Sequence, residues 1–122
     1  EWERAARSTD GRLFPWGNQL PSVEGPNIGT EKLEPVGNRP FDVSEDGVYD
    51  LSGNVAEITS TEVSQANTRM HVIRGGSYLS QLKDGLTYYR MVGLSPGDRS
   101  ESVGFRCAGS ATSSEGAPGN ER

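Results

Sequence analysis

Two stretches of the sequence hold residues that could do chemistry. The first is Tyr49-Asp50-Leu51-Ser52-Gly53-Asn54-Val55-Ala56-Glu57. Asp50 and Glu57 are hard oxygen donors, and the glycine-containing turn between them can aim main-chain carbonyls inward. That is the donor set a calcium ion prefers. The same residues also read as turn caps, with Asp50 and Asn54 closing turns and Glu57 solvated, and spacing alone favours this second reading. The other stretch is Met70-His71-Val72-Ile73-Arg74-Gly75-Gly76-Ser77-Tyr78-Leu79-Ser80. Its double glycine releases φ from the usual limits, so the chain can turn sharply or admit a close neighbour. Polar side chains of Ser77, Tyr78 and Ser80 follow directly.

The remaining reactive residues are few. Asp42, Ser44, Asp46 and Gly47 mimic the opening of an EF-hand loop, but Gly53 stands at the twelfth position where a bidentate Glu is needed. The match therefore fails. A single cysteine, Cys107, excludes an internal disulfide and any thiolate metal cluster within the chain. It reads as a buried structural thiol. One histidine, His71, excludes a multi-histidine metal site within the chain and reads as a strand residue. Arg74, Arg90 and Arg106 lie in or beside strands, where a buried guanidinium needs a partner. Asp84, Asp98 and Glu101 are the expected partners, tying strands to loops. Nothing matches a Ser-His-Asp triad, a phosphate loop or a nucleotide fingerprint.

The elements that must position these residues are short. A chain of 122 residues makes one domain, and 32% hydrophobic content with 16 Gly and 7 Pro favours a loop-rich α+β fold with a small core. Glu1–Arg7 reads as the end of a helix whose start is missing, with acids before arginines as the helix dipole prefers. Leu13–Asn18 reads as an aromatic cluster packed over a turn. Residues 19–40 have no period; such a length is plausible only if something pins it, and Pro35-Val36-Gly37 is a candidate extended piece. Thr59–Arg69 reads as a surface loop. Met70–Ile73, Leu86–Val92 and Val103–Ala108 read as strands, and Ser95–Ser100 as a turn. Ser110–Arg122 has no large apolar residue and reads as a disordered tail, leaving 1–109 as the domain. The net charge is −5 without a basic cluster, which argues against nucleic acid. No apolar run has membrane-spanning length, and the first residues do not resemble a signal peptide.

Five segments in one order carry a resemblance: Glu1–Arg7, Phe14-Pro15-Trp16-Gly17-Asn18, Tyr49–Glu57, Arg74-Gly75-Gly76-Ser77, and Gly104-Phe105-Arg106-Cys107-Ala108. Together they resemble the C-terminal half of a formylglycine-generating-enzyme (sulfatase-modifying factor) domain. The resemblance implies a C-type-lectin-like fold with little regular structure, short antiparallel strands and long loops. It also implies an absent N-terminal half, supplied by the same protein or by a protein partner. Carried onto this chain, the family's calcium motif gives carboxylates from Asp50 and Glu57 and carbonyls from Gly53 and Val55, which reverses the preference drawn from spacing. A second family site would begin at Asn27-Ile28, and its later ligands fall in a shortened stretch.

Formylglycine generation resembles copper-thiolate oxygen chemistry and needs two cysteines after the Arg-Gly-Gly-Ser motif. Soft thiolates are what hold Cu(I). Here Ser80 stands at the first position, and Gly85 or Leu86 at the second. Ala56-Glu57-Ile58 also replaces the usual Trp-Glu-Trp pattern, cutting down a wall for a peptide substrate. The resemblance thus implies a non-catalytic binding or structural module with calcium and no copper, in which Arg74, Ser77 and Ser80 are vestiges of an active site. Bacterial relatives of this kind serve as extracytoplasmic accessory or complex-forming proteins. Two other roles occur in similar domains: that of an oxidoreductase of the ergothioneine sulfoxide synthase type, whose metal-binding histidines lie in an upstream domain, and that of a variable ligand-recognition domain.

Overall fold

The computed structural model describes residues 1–22, 24–95 and 97–110. Helix α1 (Trp2–Arg7) comes first. Glu3 in its first turn and Arg7 in its last pair across one turn at 2.9 Å, and Ala6 is fully buried. Ser8, at φ 56, ends the helix, and its N–H donates to the Arg4 carbonyl. Strands β1 (Ala56–Gln65) and β2 (Thr68–Arg74) form an antiparallel hairpin. Ala66 and Asn67 between them both have positive φ, as a tight two-residue hairpin loop demands. Strand β3 (Arg90–Leu94) pairs antiparallel with β2, and β4 (Val103–Gly104) runs parallel to β1. The sheet order is β3-β2-β1-β4. A 3₁₀ turn over Leu82–Gly85 precedes β3.

Three elements depart from the sequence reading. The loop expected over Thr59–Arg69 is instead most of the hairpin. Its β-branched residues supply the strand preference, and its polarity reflects a ribbon that is exposed along most of its distal half. A bulge between Ile58 and Glu62 is held by His71, whose Nδ1 lies 2.9 Å from the Thr59 carbonyl, and by Thr59 Oγ1 donating to Val72 O. The strand expected at Leu86–Val92 begins only at Arg90. Thr87 is drawn away from the sheet: its hydroxyl donates to Arg12 O at 2.6 Å and its N–H to Leu13 O at 2.8 Å. The strand expected over Val103–Ala108 ends after Gly104. Pro35-Val36-Gly37 closes as a turn, with Asn38 N–H donating to Pro35 O. The tail from residue 111 lies outside the described residues, as does Pro96 in the expected Ser95–Ser100 turn; there Asp98 N–H donates to Ser95 O.

The apolar core is small: Ala6, Phe14, Leu51, Ala56, Val72 and Ile73. Polar residues are buried beside it, among them Asn27, Asp42, Ser52, Asn54 and Thr87. Buried polar groups stabilise only when bonded, and here they pin the irregular segment. Asn27 Nδ2 donates to Lys32 O and to Asn54 Oδ1, while Asn54 Nδ2 donates to Glu34 O. Arg39 clasps Glu34 with two bonds of 2.7 and 2.6 Å and reaches Gly25 O. That clasp holds the Glu34 carboxyl down at about 2. The Phe14 and Trp16 rings stack at 4.8 Å and Phe41 packs on Trp16, so the aromatic cluster covers a loop as expected. Among the described residues no helix is long and apolar enough to cross a membrane.

Candidate functional site

The two stretches with candidate chemistry meet as interlocked glycine turns. Gly53 N–H donates to Gly75 O at 2.8 Å, and Tyr78 N–H to Asn54 O at 2.9 Å. Asn54 N–H donates to Asn27 O, which brings Asn27 against the same knot. Gly75 has φ +93, and a Cβ there would stand 2.7 Å from Leu51 O. Gly53 has φ +96, and a Cβ would stand 2.5 Å from Asn27 O. Only glycine permits both this backbone and this approach.

Beyond the knot, Ser80 folds back on Ser77. Its Oγ accepts the Ser77 N–H at 2.8 Å and lies 3.2 Å from Ser77 Oγ. Ser77 Oγ in turn accepts from Leu79 N–H. Both hydroxyls are therefore engaged in closing their own turn. A cleft of about 350 Å³ opens beside it, lined by Ile73, Arg74, Gly76, Ser80, Lys83 and Tyr89. Arg74 is held rather than free. It pairs with Glu3 at 3.2 Å, donates to Thr87 O, and lies 5.7 Å from the centre of the Trp2 ring. Asp84, an expected arginine partner, instead accepts from Lys83 Nζ and from Gln81 N–H.

Glu57 is buried at the base of β1 with both oxygens occupied. Trp2 Nε1 donates to Oε2 at 2.5 Å and Arg106 Nε to Oε1 at 2.7 Å. Arg106 Nη2 also donates to the carbonyls of Tyr49 and Asp50 at 2.9 and 3.2 Å. Asp50 Oδ2 accepts from Gly37 N–H. By type, the donors Asp50, Gly53, Val55 and Glu57 fit a calcium ion. By arrangement, Glu57 is free for one only if Arg106 lets go. Asn27, with Ile28 beside it, has its side chain committed to Lys32, Asn54 and Thr30. Among the described residues no three His, Cys, Asp or Glu side chains gather as a metal cluster.

Several residues escaped the sequence reading. Asp42 is 1% exposed; its Oδ2 accepts Ser52 N–H, and its Oδ1 has no partner. Burial pushes its carboxyl up to about 8, against the bond from Ser52 and with the charge of Asp50 adding to the rise. Its only sequence signal was the false EF-hand opening. Glu3 and Glu57 replace the expected partners of Arg74 and Arg106, pairs 71 and 49 positions apart that no local pattern shows. Cys107, expected buried, is exposed, because the chain leaves β1 before reaching it. Arg90 is exposed as well.

Residues 1–111 match the sulfatase-modifying factor enzyme 1-like domain family, FGE-sulfatase. The chain belongs to that family. Mouse inactive C-alpha-formylglycine-generating enzyme 2 is 35% identical over 129 residues, a match covering 91% of this chain and 41% of the mouse protein. The bovine protein of the same name is 33% identical over 129 residues, covering 91% of this chain and 42% of its own length. The chain thus spans about two fifths of these curated relatives. The solved structure of CarF superposes with a TM-score of 0.70 at 24% identity, over 86% of this chain and 43% of CarF. Treponema denticola variable protein 1 does so with a TM-score of 0.67 at 23% identity, over 86% and 43%. The FGE-like fold, with short antiparallel strands and little helix, is therefore the fold of this chain.

Proposed function

We propose that this FGE-like domain is a non-catalytic module that works by binding, as part of a larger protein or complex. One observation carries the reading. Ser80 stands where the family's first copper thiolate falls, and its Oγ is spent accepting Ser77 N–H inside its own turn. A hydroxyl is a poor Cu(I) ligand, and this one is already engaged. The curated relatives named above are themselves called inactive, which supports the same conclusion. Because the chain spans only part of them, the module is read as completed by the rest of an FGE domain.

A Cu(I) titration tests the point. In a Cys107→Ser background, which removes the exposed thiol, no stoichiometric Cu(I) should bind. Tight binding that Ser80→Ala abolishes would overturn the reading.

A calcium-stabilised central loop belongs to the same proposal. Asp50 and Glu57 would give carboxylates, Gly53 and Val55 carbonyls, and Arg106 would have to release Glu57. Binding in exchange with a paired guanidinium is weak, in the range of about 10⁻⁴–10⁻³ M at which extracellular modules operate. That affinity suits a compartment outside the cytoplasm, which fractionation of the source cells would test. Calorimetry should show tighter calcium binding to Arg106→Gln than to the unaltered chain. No heat from either at millimolar calcium removes the ion from the account.

A further inference from the structure

Asp42 carries the one buried carboxylate oxygen without a partner among the described residues. Its main chain and side chain both fasten it to the turn that leads to Glu57. Asp42 O accepts Asp50 N–H at 3.2 Å, and Oδ2 accepts Ser52 N–H at 3.1 Å. Oδ1 is left over, on a residue that is 1% exposed. The charged groups that act on this carboxyl are Asp50, Arg106 and Glu57. It therefore sits among the donors that the calcium reading already names.

Those donors are spent in other ways. Asp50 Oδ2 accepts Gly37 N–H, and Glu57 gives one oxygen to Trp2 and the other to Arg106. Asp42 alone of the three carboxylates combines burial with an unbonded oxygen. A buried acceptor left in that state costs stability until a donor or a cation reaches it. The nearby main-chain donors are committed: Gly53 N–H goes to Gly75 O and Asn54 N–H to Asn27 O. A carboxylate oxygen held inside a turn of carbonyls and carboxylates suits a hard cation. Asp42 also needs no exchange with a guanidinium, since its Oδ1 is free while Arg106 still holds Glu57.

We infer that Asp42 is a further ligand of the calcium loop, its Oδ1 binding the ion together with Asp50, Gly53, Val55 and Glu57. The inference rests on the reading of that loop as a calcium site. A third carboxylate raises the charge of the donor set, one of the ways in which such loops tune their affinity.

Calcium itself is the probe, added to the chelator-treated 122-residue chain, with binding read by calorimetry and by melting temperature. Asp42→Asn keeps an acceptor for Ser52 N–H and so keeps the fold. It should weaken calcium binding about tenfold or more and shrink the rise in melting temperature that calcium gives the unaltered chain. Asp46→Asn removes an equal charge from an exposed position of the same loop and should leave binding unchanged. In crystals grown with calcium, the ion should lie about 2.3–2.6 Å from Asp42 Oδ1. An Asp42→Asn chain that binds as tightly as the unaltered one overturns the inference and leaves the calcium loop standing. So does an ion seated on Asp50 and Glu57 with Asp42 Oδ1 outside that range. Equal losses from Asp42→Asn and Asp46→Asn reduce the effect to net charge and also overturn it. No calcium bound by the unaltered chain or by Arg106→Gln overturns both.

Discussion

Ser80 spends its side chain on its own turn, and that limits what else the residue can do. A serine hydroxyl accepts a main-chain N–H well, so the turn after Arg74-Gly75-Gly76-Ser77 closes on itself. Sequence reading saw that no cysteine stands in this turn, because that is a matter of residue type. It did not see Asp42, whose burial comes from contacts far along the chain. The Asp42 carboxyl is raised from 3.8 to about 8, so the folded chain holds a proton that the unfolded chain releases above about pH 4. Stability then falls as pH rises from about 4 through 8. Asp42→Asn keeps the acceptor for Ser52 and removes the ionisation. Its melting temperature should exceed that of the unaltered chain at pH 8 and come close to it at pH 4. A difference that does not grow with pH would contradict the assignment.

Among the elements, helix α1 and strand β2 were legible because their patterns are local: acids before arginines, and an apolar run stopped by two glycines. The β1 ribbon was not legible. It runs beyond the core, so neither face carries the alternation that marks a half-buried strand. The displaced start of β3 was hidden too, since Thr87 answers to Arg12 and Leu13, 75 and 74 positions away. The interlocked glycine turns make a direct prediction. Gly75→Ala forces a positive φ on a side chain and drives Cβ to 2.7 Å from Leu51 O, at a cost of about 3 kcal/mol. Chemical unfolding should show that loss, and an alanine variant of unchanged midpoint would disprove the interlock. The pinned segment before Asp42 gives a second. With Glu34 held at about 2 by Arg39, the clasp stabilises above the ordinary carboxylate value of 4.5 and fades as pH falls through 2. Arg39→Gln should be less stable at pH 7 and converge with the unaltered chain near pH 2. Parallel acid-unfolding curves would contradict this.

At the scale of the whole molecule, the small apolar core among the described residues holds little of the fold, and buried asparagines, serines and arginine–carboxylate pairs do much of the rest. Composition announced the small core, but which polar groups replace it could not be read from sequence, because the Asn27–Asn54 and Arg106–Glu57 contacts join residues 27 and 49 positions apart. The turn that Ser80 closes is tied into the same bonds, since Tyr78 N–H donates to Asn54 O and Glu31 N–H to Tyr78 O. The family's domain is matched over residues 1–111, and no cysteine follows Arg74-Gly75-Gly76-Ser77 before Cys107. The central claim is that this scaffold binds without catalysing. The direct measurement is formylglycine formation on a cysteine-containing peptide with copper and oxygen supplied, using the chain alone and mixed with the rest of an FGE domain. The account predicts no product from either. Turnover that Ser77→Ala or Ser80→Ala abolishes would contradict it.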